Sequence, residues 1–110
     1  MLLPLIGAGL TTGLGLMGLL FPKAAAAFTS IQPDGKVGLS EIRATYGGFF
    51  LSLGSYCLWQ RSPVAFRMLG LAWLAAAAAR LISLLIDQSR SPKNLGGIAF
   101  EAAIGALLLL

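Results

Sequence analysis

The stretch LAWLAAAAARLISLLID, residues 71–87, sets Arg80 between a run of alanines and an almost wholly apolar continuation. A guanidinium stays protonated at any physiological pH. Arg80 is therefore either an obstacle to burying the segment or a device that specifies how it is buried. Its neighbours suit hydrocarbon rather than water, and the rest of the chain has the same character.

Of the 110 residues, 57% are hydrophobic and 11% charged, against about 25% charged in soluble domains. Mean hydropathy is +0.85. Four acids and eight bases are too few to solvate a soluble domain, so the composition is that of an integral membrane protein. The net charge of +4 comes without any basic cluster interleaved with aromatics, so no nucleic-acid partner is expected. It fits basic loops facing an anionic membrane surface. Cys57 is the single cysteine and there is no histidine, which excludes an intramolecular disulfide, His-ligated haem and the usual zinc sites. Cys57 reads as a small hydrophobe.

A helix crosses a bilayer with about 20 apolar residues. Four runs qualify, over about 2–21, 41–59, 64–86 and 95–110. They are separated by PDGK at 33–36, QRSP at 60–63 and DQSRSPKN at 87–94. Pro63 and Pro92 mark helix starts. The expectation is a single transmembrane domain over 1–110, an all-α antiparallel four-helix bundle. Tyr56 and Trp59 stand near one helix end, as interfacial anchors do. AAAAF offers an A-x-A cleavage site after the first run, but there is no basic n-region and the run exceeds a signal h-region. A retained helix is expected. The fourth run ends in ALLLL without a polar cap. Lys23, Lys36, Arg90 and Lys93 lie on the side of loops one and three, and Arg61 and Arg67 on the other. The positive-inside rule then puts loops one and three in the cytoplasm.

Depth counting gives Arg80 a partner. It precedes Asp87, near the interface, by two turns, which sets it roughly 10 Å deeper at the helical rise. Glu101 lies roughly 9 Å into the next, antiparallel helix by the same rise. A lone charge in a span costs about 2.5–3.5 kcal/mol on insertion scales. A bidentate Arg–carboxylate pair would remove much of that. Helix two opens with SEIRATYGGFF, so a buried or half-buried network of Arg43, Tyr46, Arg80 and Glu101 is expected, with Glu41 and Asp87 at its mouth. The alternative is that Arg80 snorkels to the headgroups while Glu101 is solvated separately.

Small residues are placed for close helix packing. Gly97 and Gly105 flank Glu101 on its own face, and Gly47 and Gly48 follow Tyr46. On helix one, Gly7, Thr11, Gly15 and Gly18 form one stripe, and Gly9 and Gly13 a second, either for the bundle or for another protein.

Other chemistry is discounted. SIQPDGKVGLSE places Asp34, Gly35, Val37 and Glu41 as in a calcium loop, but Ser30 and Gln32 stand where the first and third ligands belong, and Pro33 interrupts the loop. A turn leading into a helix begun by Ser40-Glu41 is the simpler reading. No phosphate loop, nucleophile–base pair or paired-carboxylate site is recognisable, and no metal site is expected.

Through EIRATYGGFFLSLG at 41–54, ARLISLLID at 79–87 and FEAAIGALLL at 100–109, the chain resembles a family of small four-span bacterial membrane proteins of unknown function. In that family an arginine, tyrosine-glycine, second arginine, aspartate and glutamate occur in the order of Arg43, Tyr46, Gly47, Arg80, Asp87 and Glu101 here. The resemblance implies a four-helix fold and supplies no activity.

The leading expectation is a non-catalytic accessory or assembly subunit of a larger membrane complex, photosynthetic or respiratory, in a bacterial inner or thylakoid-type membrane. Its partners would be membrane lipids and other membrane subunits or further copies of itself. No cofactor is expected. One alternative is a binder of a lipid, pigment or other hydrophobic molecule, in a cleft lined by Tyr46, Phe49, Phe50 and Trp73. A second is a small proton- or ion-coupled transporter using Glu101.

Overall fold

The first helix, α1, runs from Leu2 to Leu20 and carries no charge. It ends because Phe21 is non-helical and Pro22 cannot extend the ladder. Pro22 instead starts α2, Pro22–Thr29, from its first turn. Ser30 closes α2 in the left-handed conformation. Its N–H reaches Ala27 O at 3.3 Å and that of Ile31 reaches Ala26 O at 2.9 Å, the paired bonds of a Schellman end. Sequence reading gave this segment no helix.

Helix α3, Gly35–Ile42, begins after an extended Asp34 and well before the expected Glu41. Gly35 takes φ +66, which a side chain would resist. Without a pause the chain becomes a π-helical stretch, Arg43–Phe49, and then α4, Phe50–Gln60. Helix α5, Pro63–Ile86, starts after an extended Ser62 and ends before a left-handed Gln88. Helix α6 covers Pro92–Leu109, a turn earlier than expected. Ser91 accepts from Asn94 N at 3.0 Å, a serine cap followed by proline at the first helical position.

The computed structural model describes residues 1–110 and is all-helical. Two helices, α1 and α5, are each long and apolar enough to cross a membrane, where four were expected. The second expected span is divided among α3, the π stretch and α4, and the third turn-forming segment contributes polar Lys93 and Asn94 to the start of α6.

Contacts divide the chain into two units. One contains residues 8–60. In it Ala25, Ala26 and Ile42 form a small buried cluster, with Met17 and Tyr46 packed against it. Helix α1 touches the π stretch and α4 backbone to backbone. A Cβ on Gly15 would lie 2.6 Å from Leu51 Cα, and one on Gly18 would fall 2.7 Å from Gly47 N. Gly54 likewise faces Thr12 and the Ala8 carbonyl.

The other unit contains residues 1–7 and 61–110. Phe66, Leu69, Gly70, Trp73 and Ala77 form the buried face of α5, and Ile104, Gly105 and Leu108 that of α6. These positions recur at helical spacing. Gly105 opens onto Leu74 and the Gly70 carbonyl, and Gly7 onto Leu108, so the helices of this unit also meet through missing side chains.

Candidate functional site

Helices α5 and α6 bring Arg80 and Glu101 together. Arg80 Nε donates to Glu101 Oε1 at 2.9 Å and Nη2 to Oε2 at 3.0 Å. This two-pronged arrangement matches a planar guanidinium to a planar carboxylate. The side chain of Glu101 is 12% exposed and that of Arg80 34%, so the acid depends more on the pair than the base does. Gly97, one turn before Glu101, makes room for it. A Cβ there would sit 3.2 Å from Arg80 Nε, so the arginine lies across the bare backbone.

The third arm of the guanidinium reaches a residue in the segment DQSRSPKN, whose composition predicts a loop. Arg80 Nη1 donates to Asn94 Oδ1 at 2.8 Å. Asn94 Nδ2 donates in turn to Ser89 O at 2.8 Å and reaches Ser89 Oγ at 3.1 Å. With a cation on one side and a carbonyl on the other, only this amide orientation satisfies both neighbours. Ser83 Oγ lies 3.4 Å from Ser89 Oγ and donates to Asp87 Oδ2 at 2.7 Å. A continuous polar path thus runs from Glu101 inside α6 to Asp87 at the end of α5. Asn94 precedes Glu101 by two turns on one helix face, and Ser91-Pro92 is a helix-start signature. Reading that cap would have brought Asn94 into the site.

Within residues 8–60, Arg43 and Tyr46 have partners of their own. Arg43 Nη1 donates to the Leu19 carbonyl at the end of α1, where a cation suits both the orphan oxygen and the helix dipole. Tyr46 meets Phe50 edge-to-face, with ring centres 5.6 Å apart. Glu41 is exposed on α3. Gly47 abuts Leu19, with a Cβ position 2.8 Å from Leu19 N, whereas Gly48 meets nothing within 4 Å. Phe49 is 64% exposed and Trp73 7%, so Trp73 belongs to the packed face of α5 while Phe49 points outward.

A second feature lies at the junction of α1 and α2. A groove of about 320 Å³ is lined by Leu20, Phe21, Ala24 and Leu39, with Lys23 and Arg43. The sequence does not announce this groove, because it depends on α2, a helix that the alanine run does not predict. No three of the Asp, Glu and Cys side chains gather closely enough to hold a metal ion.

These features define a small all-helical protein with two helices apolar enough to cross a membrane and an arginine–glutamate–asparagine cluster joining its last two helices. The chain belongs to the family described as Domain of unknown function (DUF4345), which matches residues 2–110 and so takes in both units. Comparisons with the curated proteins and with the solved structures returned no match.

Proposed function

We propose that this chain is an integral membrane protein that crosses the bilayer four times and serves as a non-catalytic accessory or assembly subunit. Besides α1 and α5, the crossings are the unbroken helical run from Gly35 to Gln60 and helix α6. The short α2, with Lys23, lies along the interface between the first two crossings. Loops one and three, which carry Lys23, Lys36, Arg90 and Lys93, face the cytoplasm of a bacterial inner or thylakoid-type membrane. The cluster at Arg80 is then a fold-specifying device. It satisfies two opposite charges against each other.

One observation carries the accessory role. Helix α1 has two glycine faces, and only one is used within the chain. Gly15 and Gly18 are pressed against backbone, while Gly9 and Gly13 meet nothing within 4 Å. A GxxxG spacing left open on an apolar helix suits close approach by a helix of another subunit. Extraction in mild detergent followed by native mass spectrometry should recover the chain with at least one other membrane protein, a photosynthetic or respiratory complex being a natural host. Recovery of the bare monomer alone would end this reading.

The groove at Lys23 and Arg43 favours a second reading, the binding of an amphiphilic molecule. Transport through Glu101 has less support, since both of its oxygens are held by Arg80.

A further inference from the structure

We infer that the groove at the α1–α2 junction is a binding site for an anionic phospholipid, its phosphate held between Lys23 and Arg43 and its first acyl carbons laid on the apolar wall. The inference rests on the membrane reading above and deepens its second reading, the binding of an amphiphilic molecule.

The walls, Leu20, Phe21, Ala24 and Leu39, are apolar, and the two polar side chains that line the groove are both cations. That combination fits a ligand with an anionic head and a hydrocarbon body. A free inorganic anion would leave the wall unused, and a neutral lipid would leave the charges unanswered. Arg43 commits Nη1 to the Leu19 carbonyl, which fixes the guanidinium in place and leaves Nε and Nη2 as further donors. Helix α2 begins at the same place. Phe21 supplies no side-chain cap and Pro22 has no N–H, so the backbone N–H groups of Lys23 and Ala24 are the first donors of that helix and carry its positive end. Two side-chain cations and a helix start therefore line one groove.

Depth agrees with chemistry. Lys23 follows the end of the first crossing and Arg43 bonds the Leu19 carbonyl at that same end, so both stand at the headgroup level on the side richer in basic residues. In the orientation proposed, that is the cytoplasmic leaflet, where anionic lipids concentrate.

The test measures thermal unfolding of the purified chain in neutral detergent, with added phosphatidylglycerol, phosphatidylcholine or inorganic phosphate. Phosphatidylglycerol should stabilise the protein at concentrations at least about five-fold lower than phosphatidylcholine does, the factor expected for one basic side chain at an anionic lipid. Lys23→Gln, at an exposed position, should remove that preference while leaving the lipid-free melting temperature unchanged, and Arg43→Lys should retain more of it than Arg43→Gln. Equal stabilisation by the two lipids would overturn the inference, as would stabilisation by inorganic phosphate matching that by phosphatidylglycerol. The wild-type comparison decides even if a variant folds poorly. Carbonate washing of native membranes separates the two ideas. Release of the chain would overturn the membrane reading and this inference with it, whereas retention without lipid preference would overturn the groove alone.

Discussion

Arg80 shows how one cation can organise a hydrophobic helix. Its three bonded nitrogens take Glu101 twice and Asn94 once, so the guanidinium ties α5 to both the first turn and the interior of α6. The partners are not equivalent. Removing Arg80 strands a carboxylate that is only 12% exposed, whereas removing Glu101 leaves an arginine that can extend toward the headgroups. Arg80→Ala should therefore lower stability by about 3 kcal/mol, and Glu101→Gln, which keeps an acceptor for the fork, by about 1 kcal/mol. Replacing both residues by leucine should cost clearly less than the sum of the single leucine variants. Chemical unfolding in detergent measures all of these, and additive losses would show that the pair is not coupled. Depth counting along the helices set Arg80 and Glu101 at one level because it needs only loop positions and the helical rise. Asn94 escaped that count because its segment, rich in serine, proline and charge, read as a loop until the Ser91 cap is recognised.

Helix boundaries were less legible than helix identity. The run from Gly35 to Gln60 is continuous, yet its sequence begins with PDG, a turn signal, and holds two adjacent glycines. The π stretch at Arg43–Phe49 has no signature in a pattern of period 3.6, and it shifts the phase of the faces on either side. Within α4, Gly54 packs against α1 while its neighbours Ser52 and Ser55 are exposed. The two glycine stripes of α1 were visible in the sequence, but only contact could tell them apart. Gly15→Leu would drive a side chain into the Phe50–Leu51 backbone and should cost 3 kcal/mol or more, roughly the upper range for overpacking. Gly13→Leu meets open space and should leave the unfolding of the isolated chain within about 1 kcal/mol, since it also removes a helix-weakening glycine. On the accessory reading the same Gly13→Leu variant should reduce the yield of co-purified partner. Unchanged partner recovery would show that the open face is not the contact.

Taken whole, the chain is a set of apolar helices with its few charges placed at helix ends or in pairs. Helices α5 and α6 are tied by the Arg80 cluster, and α1 meets the π stretch and α4 through bare backbone. Composition alone pointed to a membrane, since 11% charged residues cannot cover a soluble surface. What composition could not supply is how the helices are used, because the same apolar faces can meet lipid, another helix or a partner subunit. The central claim, four crossings with loops one and three together, is tested most directly by one-sided labelling. In a Cys57→Ala background, Gln32→Cys, Gln60→Cys and Arg90→Cys each place one thiol in a different loop or at its edge. A membrane-impermeant maleimide added to sealed, inside-out vesicles should label positions 32 and 90 and spare position 60. Labelling of all three from that side, or of 32 and 90 from opposite sides, would contradict the architecture.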